Sequence, residues 1–370
     1  MKLLLLGMVI YRKYRPQKFS EVIGQDKVVR TIENEIKQNK IAHAYLLTGP
    51  RGLGKTTLAR LIAKAVNCQN RKSGESESCN KCANCLDLMQ GKFFDLIEMD
   101  AASHTGVDNV RDNIIAGTRV PPSRGQYKIF IIDEVHMLST AAFNALLKTL
   151  EEPPSYIIFI LATTEIHKVP DTIISRCQRF DLTKVDLDKI VERLKKIALA
   201  EKVKIASEVL KTIAQRSEGC VRDAESLLSQ IFTFDGQEIT MEEASLVIPL
   251  TKLNLIINFV KLLAEKNKKE ALNQISQLLE EGIDLEQFTK DLIEFLRKVL
   301  LVKIGADEQR ILQYLDNEVQ RQVKDFAVKF EQAVLLTMLE EFISVQQELS
   351  YAQIPQLPLE LAVVKICSGF

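Results

Sequence analysis

No apolar run of roughly eighteen residues, the length a membrane-spanning helix needs, occurs anywhere in this chain of 370 residues. A transmembrane reading is set aside, and no membrane partner is expected. Charge of one sign is not in excess either. With 49 basic and 49 acidic side chains the formal net charge is zero, so bulk electrostatics neither call for nor exclude a nucleic-acid partner. Internal repeats and low-complexity tracts are missing. The N-terminal MKLLLLGMVIYRKYR has an apolar stretch too short for a signal-peptide core, lacks a small-residue cleavage site and runs straight into charge. A cytoplasmic protein is expected, with Met8 left open as the true start. Seven cysteines, an odd number, point in a reducing compartment away from a disulfide framework and toward metal binding or buried thiols.

What is present is ordinary globular material, 46% hydrophobic and 26% charged, in a chain too long for one core. From Ala44 to about Phe180, short apolar runs alternate with helical patterns, as βαβ units with a parallel sheet require. The strand candidates are AYLL (44–47), DLIEMD (95–100), KIFIID (128–133) and YIIFILAT (156–163). Between the last two, Phe143, Leu146, Leu147 and Leu150 share one helical face, and Pro153 and Pro154 stop that helix. Beyond SRCQRFDL the pattern turns helical, with amphipathic stretches at 186–201 and 206–217 and a third at about 221–232 after Gly219. TFDGQEIT (233–240) reads as a loop, and long helices follow from about 243. The expected parts are an α/β domain over 1–182, a small helical domain over 183–242 and an all-helical domain over 243–370.

Gly49-Pro50-Arg51-Gly52-Leu53-Gly54-Lys55-Thr56 fits the G-x-x-x-x-G-K-[ST] phosphate loop, following a strand and opening a helix that continues with Thr57. Glycines let backbone N–H groups close around phosphate oxygens, and the helix N-terminus adds to the attraction. Lys55 is expected to reach the β- and γ-phosphates, and Thr56 to offer its hydroxyl to Mg²⁺. A chance match arises in about one chain per hundred of this length, and the strand-to-helix setting lowers that further. KIFIIDEVH ends in Asp133 and Glu134. Asp133 is expected to hold Mg²⁺, usually through water, and Glu134 to polarise the attacking water. An acidic pair after a strand is weak alone, but the phosphate loop upstream decides in its favour.

Cys79, Cys82 and Cys85 form a C-x₂-C-x₂-C ladder with Cys68 upstream, a compact set suited to tetrahedral Zn²⁺. The polar residues of the 68–85 insert cannot build a core, so a staple is needed. A redox pair needs only two cysteines, and a cytoplasmic disulfide is short-lived. Four thiolates leave no open position, which makes the site structural. Cys177, Cys220 and Cys367 are isolated and read as buried small hydrophobes. His43, His104, His136 and His167 lack ligand spacing and none reads as a catalytic base. Thr164 follows the last strand and could hold a water near the γ-phosphate, although a hydroxyl satisfied by backbone is favoured on composition. Arg176 and Arg222 border helical elements, and their roles stay open between solvated surface and phosphate contact.

Together YRKYRPQKFSEVIGQD, HAYLLTGPRGLGKTT, the four-cysteine insert, IIDEVHMLSTAAFNALLKTLEEPP, LATTE, ISRCQRF, GCVRDAESLLSQ and PQLPLELAVVKI resemble the AAA+ clamp-loader family over nearly the whole chain. The resemblance implies an α/β AAA+ P-loop domain with a zinc-binding insert, a helical lid and a helical oligomerisation collar. It implies ATP and Mg²⁺ as cofactors, with zinc on Cys68, Cys79, Cys82 and Cys85. Thr164 matches the sensor of the γ-phosphate, Arg176 the arginine completing a neighbouring subunit's site, and Arg222 the second sensor, on the lid. Tyr11, Arg15 and Pro16, with Val22 and Ile23, match the strip that lies against adenine. The implied function is an ATP-hydrolysing motor subunit of the bacterial replicative clamp loader, part of the DNA polymerase holoenzyme. Its partners would be other loader subunits, copies of itself, the sliding clamp and primer–template DNA. The alternatives are another AAA+ DNA-processing ATPase, against which the cysteine insert argues, and a non-hydrolysing structural loader subunit, against which the intact phosphate loop argues.

Overall fold

Strands buried on both faces must alternate side chains between two apolar layers, and the apolar runs here sort in that way. The computed structural model describes residues 9–103, 114–234, 239–245, 247, 253–312, 315, 317–349 and 351–368, so His104 lies outside the described residues. Among the described residues, five strands form one parallel sheet: β1 (Ala44–Thr48), β2 (Leu96–Asp100), β3 (Lys128–Asp133), β4 (Ile157–Thr163) and β5 (Gln178–Asp181), in the order β2-β3-β4-β1-β5. Tyr45, Leu47, Ile129, Ile131, Ile158 and Ile160 face one core with Phe19, Ile32, Ile36, Leu58 and Ile62. Leu46, Phe130, Ile132, Phe159 and Leu161 face the other with Phe143, Leu146 and Leu150, while Leu147 is only partly buried against it. Ser139 caps the helix Thr140–Glu151, which carries Phe143, Leu146 and Leu150, by accepting from the Ala142 N–H.

β5 has no counterpart among the expected strands. QRFD buries only Phe180 and pairs on one side, so its four residues carry too little apolar pattern to read as a strand. The strand order has a second consequence. β4 lies between β1 and β3, so the segment after β4 is inserted between the phosphate loop and the acidic pair. In register, Thr48 sits opposite both Thr163 and Asp181, and Asp100 opposite Asp133. Polar residues therefore gather along the carboxyl edge, where parallel sheets bind ligands.

Asp95 anchors the far end of β2. It is nearly fully buried, and its carboxylate accepts from the N–H groups of Ser123, Arg124 and Gly125 at 2.6, 2.8 and 2.7 Å. Burial pushes its pKa up, but those donors and the Ser123 hydroxyl outweigh burial and hold it below the usual carboxylate value. A depressed folded pKa contributes stability that is present above the unfolded value and lost as pH falls through the folded one. Asp95→Asn is expected to cost about 2 kcal/mol in urea unfolding at neutral pH. The gap between variant and wild type should narrow as pH falls below the carboxylate range.

The chain divides into two compact units, Met1–Ala244 and Ser245–Phe370. The first also holds the helices Leu187–Glu201, Ser207–Arg216 and Val221–Ile231, whose apolar faces bury Ile190, Leu194, Ile213 and Leu228 together. In the second, the described residues are helical and pack around Phe259, Phe288, Phe295, Phe326 and Phe342, with Phe259 and Phe288 edge to face at 5.3 Å. Asn267 and Asp284 cap two of its helices by accepting backbone N–H groups of the first turn. No helix among the described residues is long and apolar enough to cross a membrane.

Candidate functional site

At the carboxyl edge of the sheet a cavity of about 570 Å³ opens above the loop that joins β1 to the helix Lys55–Val66. Gly49, Gly52 and Gly54 all have positive φ, 134°, 77° and 97°. A side chain at Gly52 would stand 2.1 Å from the Cys220 sulfur, and one at Gly49 would stand 2.5 Å from the Leu182 carbonyl. The loop thus needs glycine for both its turn and its neighbours. Arg51, Gly52, Leu53, Gly54, Lys55, Thr56 and Thr57 line the cavity. Gly49 and Pro50 do not, but their carbonyls accept from the Lys55 ammonium at 2.7 and 2.9 Å. Burial lowers the Lys55 pKa, opposed by the nearby carboxylates of Glu134 and Asp133.

The acidic pair meets this loop directly. The Thr56 hydroxyl donates to Asp133 Oδ2 at 2.6 Å, which brings the two expected magnesium ligands together. Glu134 adopts the left-handed region, φ 47° and ψ 46°, an unusual conformation for a non-glycine residue. Its backbone N–H donates to Asp133 Oδ1 at 3.0 Å, while its Oε2 accepts from the Thr164 hydroxyl at 2.9 Å and the Thr164 N–H at 3.3 Å. Thr164 therefore bonds to the glutamate, whereas composition favoured a backbone partner for its hydroxyl. His136 completes the arrangement. The buried ring shares Nδ1 with the Thr163 hydroxyl at 3.0 Å, stands 3.5 Å from Glu134 Oε2 and meets Glu165 through Nε2 at 3.3 Å. His43 and His167 are exposed.

Tyr11, Arg15, Pro16, Val22 and Ile23 also line the cavity, and Arg222 lies with its guanidinium 4.6 Å from the centre of the Tyr11 ring. The Arg222 backbone N–H also donates to the Gly52 carbonyl at 3.5 Å. Arg15 is half-buried among Arg60, Arg222 and Arg12, and burial first, then those like charges, lowers its pKa. Thr164 and Arg176 do not line the cavity. Arg176 donates to the Thr172 carbonyl at 2.7 Å and pairs with Glu151 at 2.5 Å.

Sequence reasoning missed Asp100, Arg193 and Glu225, which also line the cavity. Asp100 ended an expected strand and was legible as a carboxyl-edge residue. Arg193 and Glu225 lie in amphipathic helices without a local motif. Their ion pair, 2.9 Å long, ties the helices Leu187–Glu201 and Val221–Ile231 together, and Arg193 also donates to the Tyr14 carbonyl near the N-terminus. Burial raises the Glu225 pKa against the pull of Arg193.

Away from the cavity, the sulfurs of Cys68, Cys79, Cys82 and Cys85 all lie within 4.8 Å of one another. The Cys79 sulfur accepts N–H groups of Lys81 and Cys82 at 3.4 and 3.3 Å, and Asn80 makes the turn at φ 55°. Four converging sulfurs with N–H donors aimed at them suit a tetrahedral zinc ion. Cys177 and Cys220 lie apart from this cluster, and burial pushes them up to about 12 and about 11, as in inert thiols.

A parallel α/β sheet with a phosphate loop after β1, an acidic pair at the end of β3 on the far side of β4, and helical residues lining the same cavity defines a P-loop nucleotide-binding protein of the AAA+ class. Residues 24–186 match the family model of the DNA polymerase III delta subunit, and residues 239–370 match that of domain III of DNA polymerase III subunits gamma and tau. The chain is 42% identical to DNA polymerase III subunit tau of Bacillus subtilis over 97% of its own length and 63% of that protein. It is 33% identical to DNA polymerase III subunit gamma of Buchnera aphidicola over 98% of its length and 99% of that protein. With the tau subunit of Escherichia coli the identity is 38% over 80% of this chain and 46% of that one. The chain belongs to the DNA polymerase III gamma/tau family. It spans between about half and two thirds of these tau relatives, 63% and 46%. Among solved structures, Thermotoga maritima RuvB, the Holliday junction branch migration motor, is 22% identical with a TM-score of 0.48 over 68% of this chain and 79% of that one.

Proposed function

We propose that this chain is an ATP-hydrolysing motor subunit of the bacterial replicative clamp loader, which opens the sliding clamp and loads it onto primer–template DNA. The observation that carries the reading is the cavity itself, where phosphate loop, acidic pair and lid arginine converge while Arg176 stays outside. Adenine would lie against Val22 and Ile23, beside Tyr11, Arg15 and Pro16. The triphosphate would follow the N–H groups of 51–57, with Lys55 leaving the Gly49 and Pro50 carbonyls for the β- and γ-phosphates. Thr56 and Asp133 would hold Mg²⁺, which supplies charge neutralisation for phosphoryl transfer. Glu134 would orient the attacking water, held by Thr164 and His136. Arg222 would reach phosphate from the lid of its own chain.

The same reading assigns 183–242 to the lid and 243–370 to a collar that joins subunits. Exposed Val334, Leu336, Ile343, Leu357, Leu361 and Val364 on two of its helices support an interface there. Zinc on the four cysteines would be structural. A cytoplasmic location follows from replication itself. The test is steady-state ATP hydrolysis by the chain alone and then with partner subunits, clamp and primed DNA. Stimulation of about tenfold or more by clamp plus DNA is expected, as a site completed by a neighbouring subunit requires. Unchanged turnover in the full mixture would sink the loader reading.

A further inference from the structure

The cysteine insert and the adenine strip are far apart in sequence but joined by hydrogen bonds. The strip has two halves, Arg15 and Pro16 on one side and Val22 and Ile23 on the other, and the segment between them touches the insert. Its short 3₁₀ turn, Phe19–Glu21, has no side-chain cap from Lys18 before it. Glu77 supplies one from the insert, with Oε2 accepting the Phe19 N–H at 3.0 Å and Oε1 the Ser20 N–H at 2.9 Å. Asn80, inside the cysteine ladder, donates to the Gln17 carbonyl at 3.2 Å. Lys64, buried on the phosphate-loop helix, donates to the same carbonyl at 2.7 Å. Three elements therefore meet at residues 17–20.

The insert's own rigidity decides whether these bonds can position anything. Residues 69–78 have no apolar side chain to form a core. The Arg71 guanidinium holds their start through the Ala65 and Glu75 carbonyls, and Ser76 donates to Glu33 at 2.8 Å. The end carrying Glu77 and Asn80 is fixed by its position next to the cysteines.

We infer that Glu77 is a positioning residue for nucleotide: the zinc knuckle, through Glu77 and Asn80, holds the backbone that sets both halves of the adenine strip. This rests on the base-binding reading of Tyr11 to Ile23 given above. The linkage makes base recognition depend on the knuckle, while the phosphate loop keeps its own contacts. Glu77 touches neither the cavity nor the reacting phosphates.

The test is calorimetric titration of the full chain with Mg²⁺–ATP and, separately, with Mg²⁺–tripolyphosphate, which has no base. Wild type, Glu77→Ala and Glu77→Gln are compared, with zinc content measured in each. Glu77→Ala is expected to retain zinc and bind ATP about tenfold more weakly, as loss of two bonds to a charged acceptor implies. Its tripolyphosphate affinity should stay at the wild-type value, and Glu77→Gln, which keeps one acceptor oxygen, should fall between. Removing the metal from wild type with a chelator should reproduce the loss selective for ATP. Unchanged ATP affinity in Glu77→Ala, or equal weakening of ATP and tripolyphosphate, overturns the inference. If wild type itself binds ATP no better than tripolyphosphate, the base-strip reading fails first, and the inference with it.

Discussion

Replacing Arg176 by alanine is expected to leave ATP binding by the isolated chain unchanged and to lower hydrolysis in the assembled complex by about a thousandfold. The guanidinium takes no part in its own chain's cavity. It rests on the Thr172 carbonyl at 2.7 Å and the Glu151 carboxylate at 2.5 Å, with about a third of the side chain, 32%, exposed. A partly exposed pair of this kind is worth about 1 kcal/mol or less, so the variant should fold normally. On the proposed trans role, the same weakness would let the arginine exchange Glu151 for a phosphate presented by a neighbour. Calorimetry on the single chain and a coupled hydrolysis assay on the reconstituted assembly separate the two effects. Loss of binding in the isolated chain would place Arg176 in its own site and remove the trans role.

The parts of the fold legible in the sequence were those with a local signature. β1, β3 and β4 carry apolar runs buried on both faces, and the phosphate loop is a contiguous motif whose glycines answer to Leu182 and Cys220 in the fold. β5 escaped because a four-residue edge strand with one buried side chain has almost no periodicity. The Thr164 partner escaped for a different reason. Composition gives a strand-end threonine a backbone acceptor, but the strand order sets β4 between β1 and β3 and brings the hydroxyl to Glu134. Arg193 with Glu225, and Glu77 with the 3₁₀ turn, are contacts across 32 residues and 57 to 58 residues, which no window along the chain can register. The convergence of the four cysteines was readable because their spacing is compact and local; the hydrogen bonds that join Glu77 and Asn80 to residues 17–20 were not.

Glu134→Gln should hold ATP at least as tightly as wild type while hydrolysis falls by about a hundredfold to a thousandfold, the usual loss when a residue that polarises the attacking nucleophile is neutralised. Binding would survive because the loop donors, Lys55 and the Thr56–Asp133 pair remain, and one negative charge near the proposed triphosphate position would be removed. Hydrolysis would fall because the amide could not draw a proton from water. Geometry sharpens the expectation. Glu134 occupies a left-handed backbone conformation that costs about 1 kcal/mol or more in a non-glycine residue. The fold maintains it with the Asp133 carboxylate on its N–H and Thr164 on its side chain. Glutamine keeps the carbonyl oxygen that Thr164 needs as acceptor, so the backbone should stay in place and the loss should fall on chemistry. Thr164→Ala removes the hydroxyl donor instead and should cost less, about tenfold, because the Thr164 N–H still reaches the carboxylate. Nucleotide affinity measured beside single-turnover hydrolysis distinguishes these outcomes. Hydrolysis by Glu134→Gln within a factor of about three of wild type would mean that another group polarises the water, since loss of a true general base costs far more.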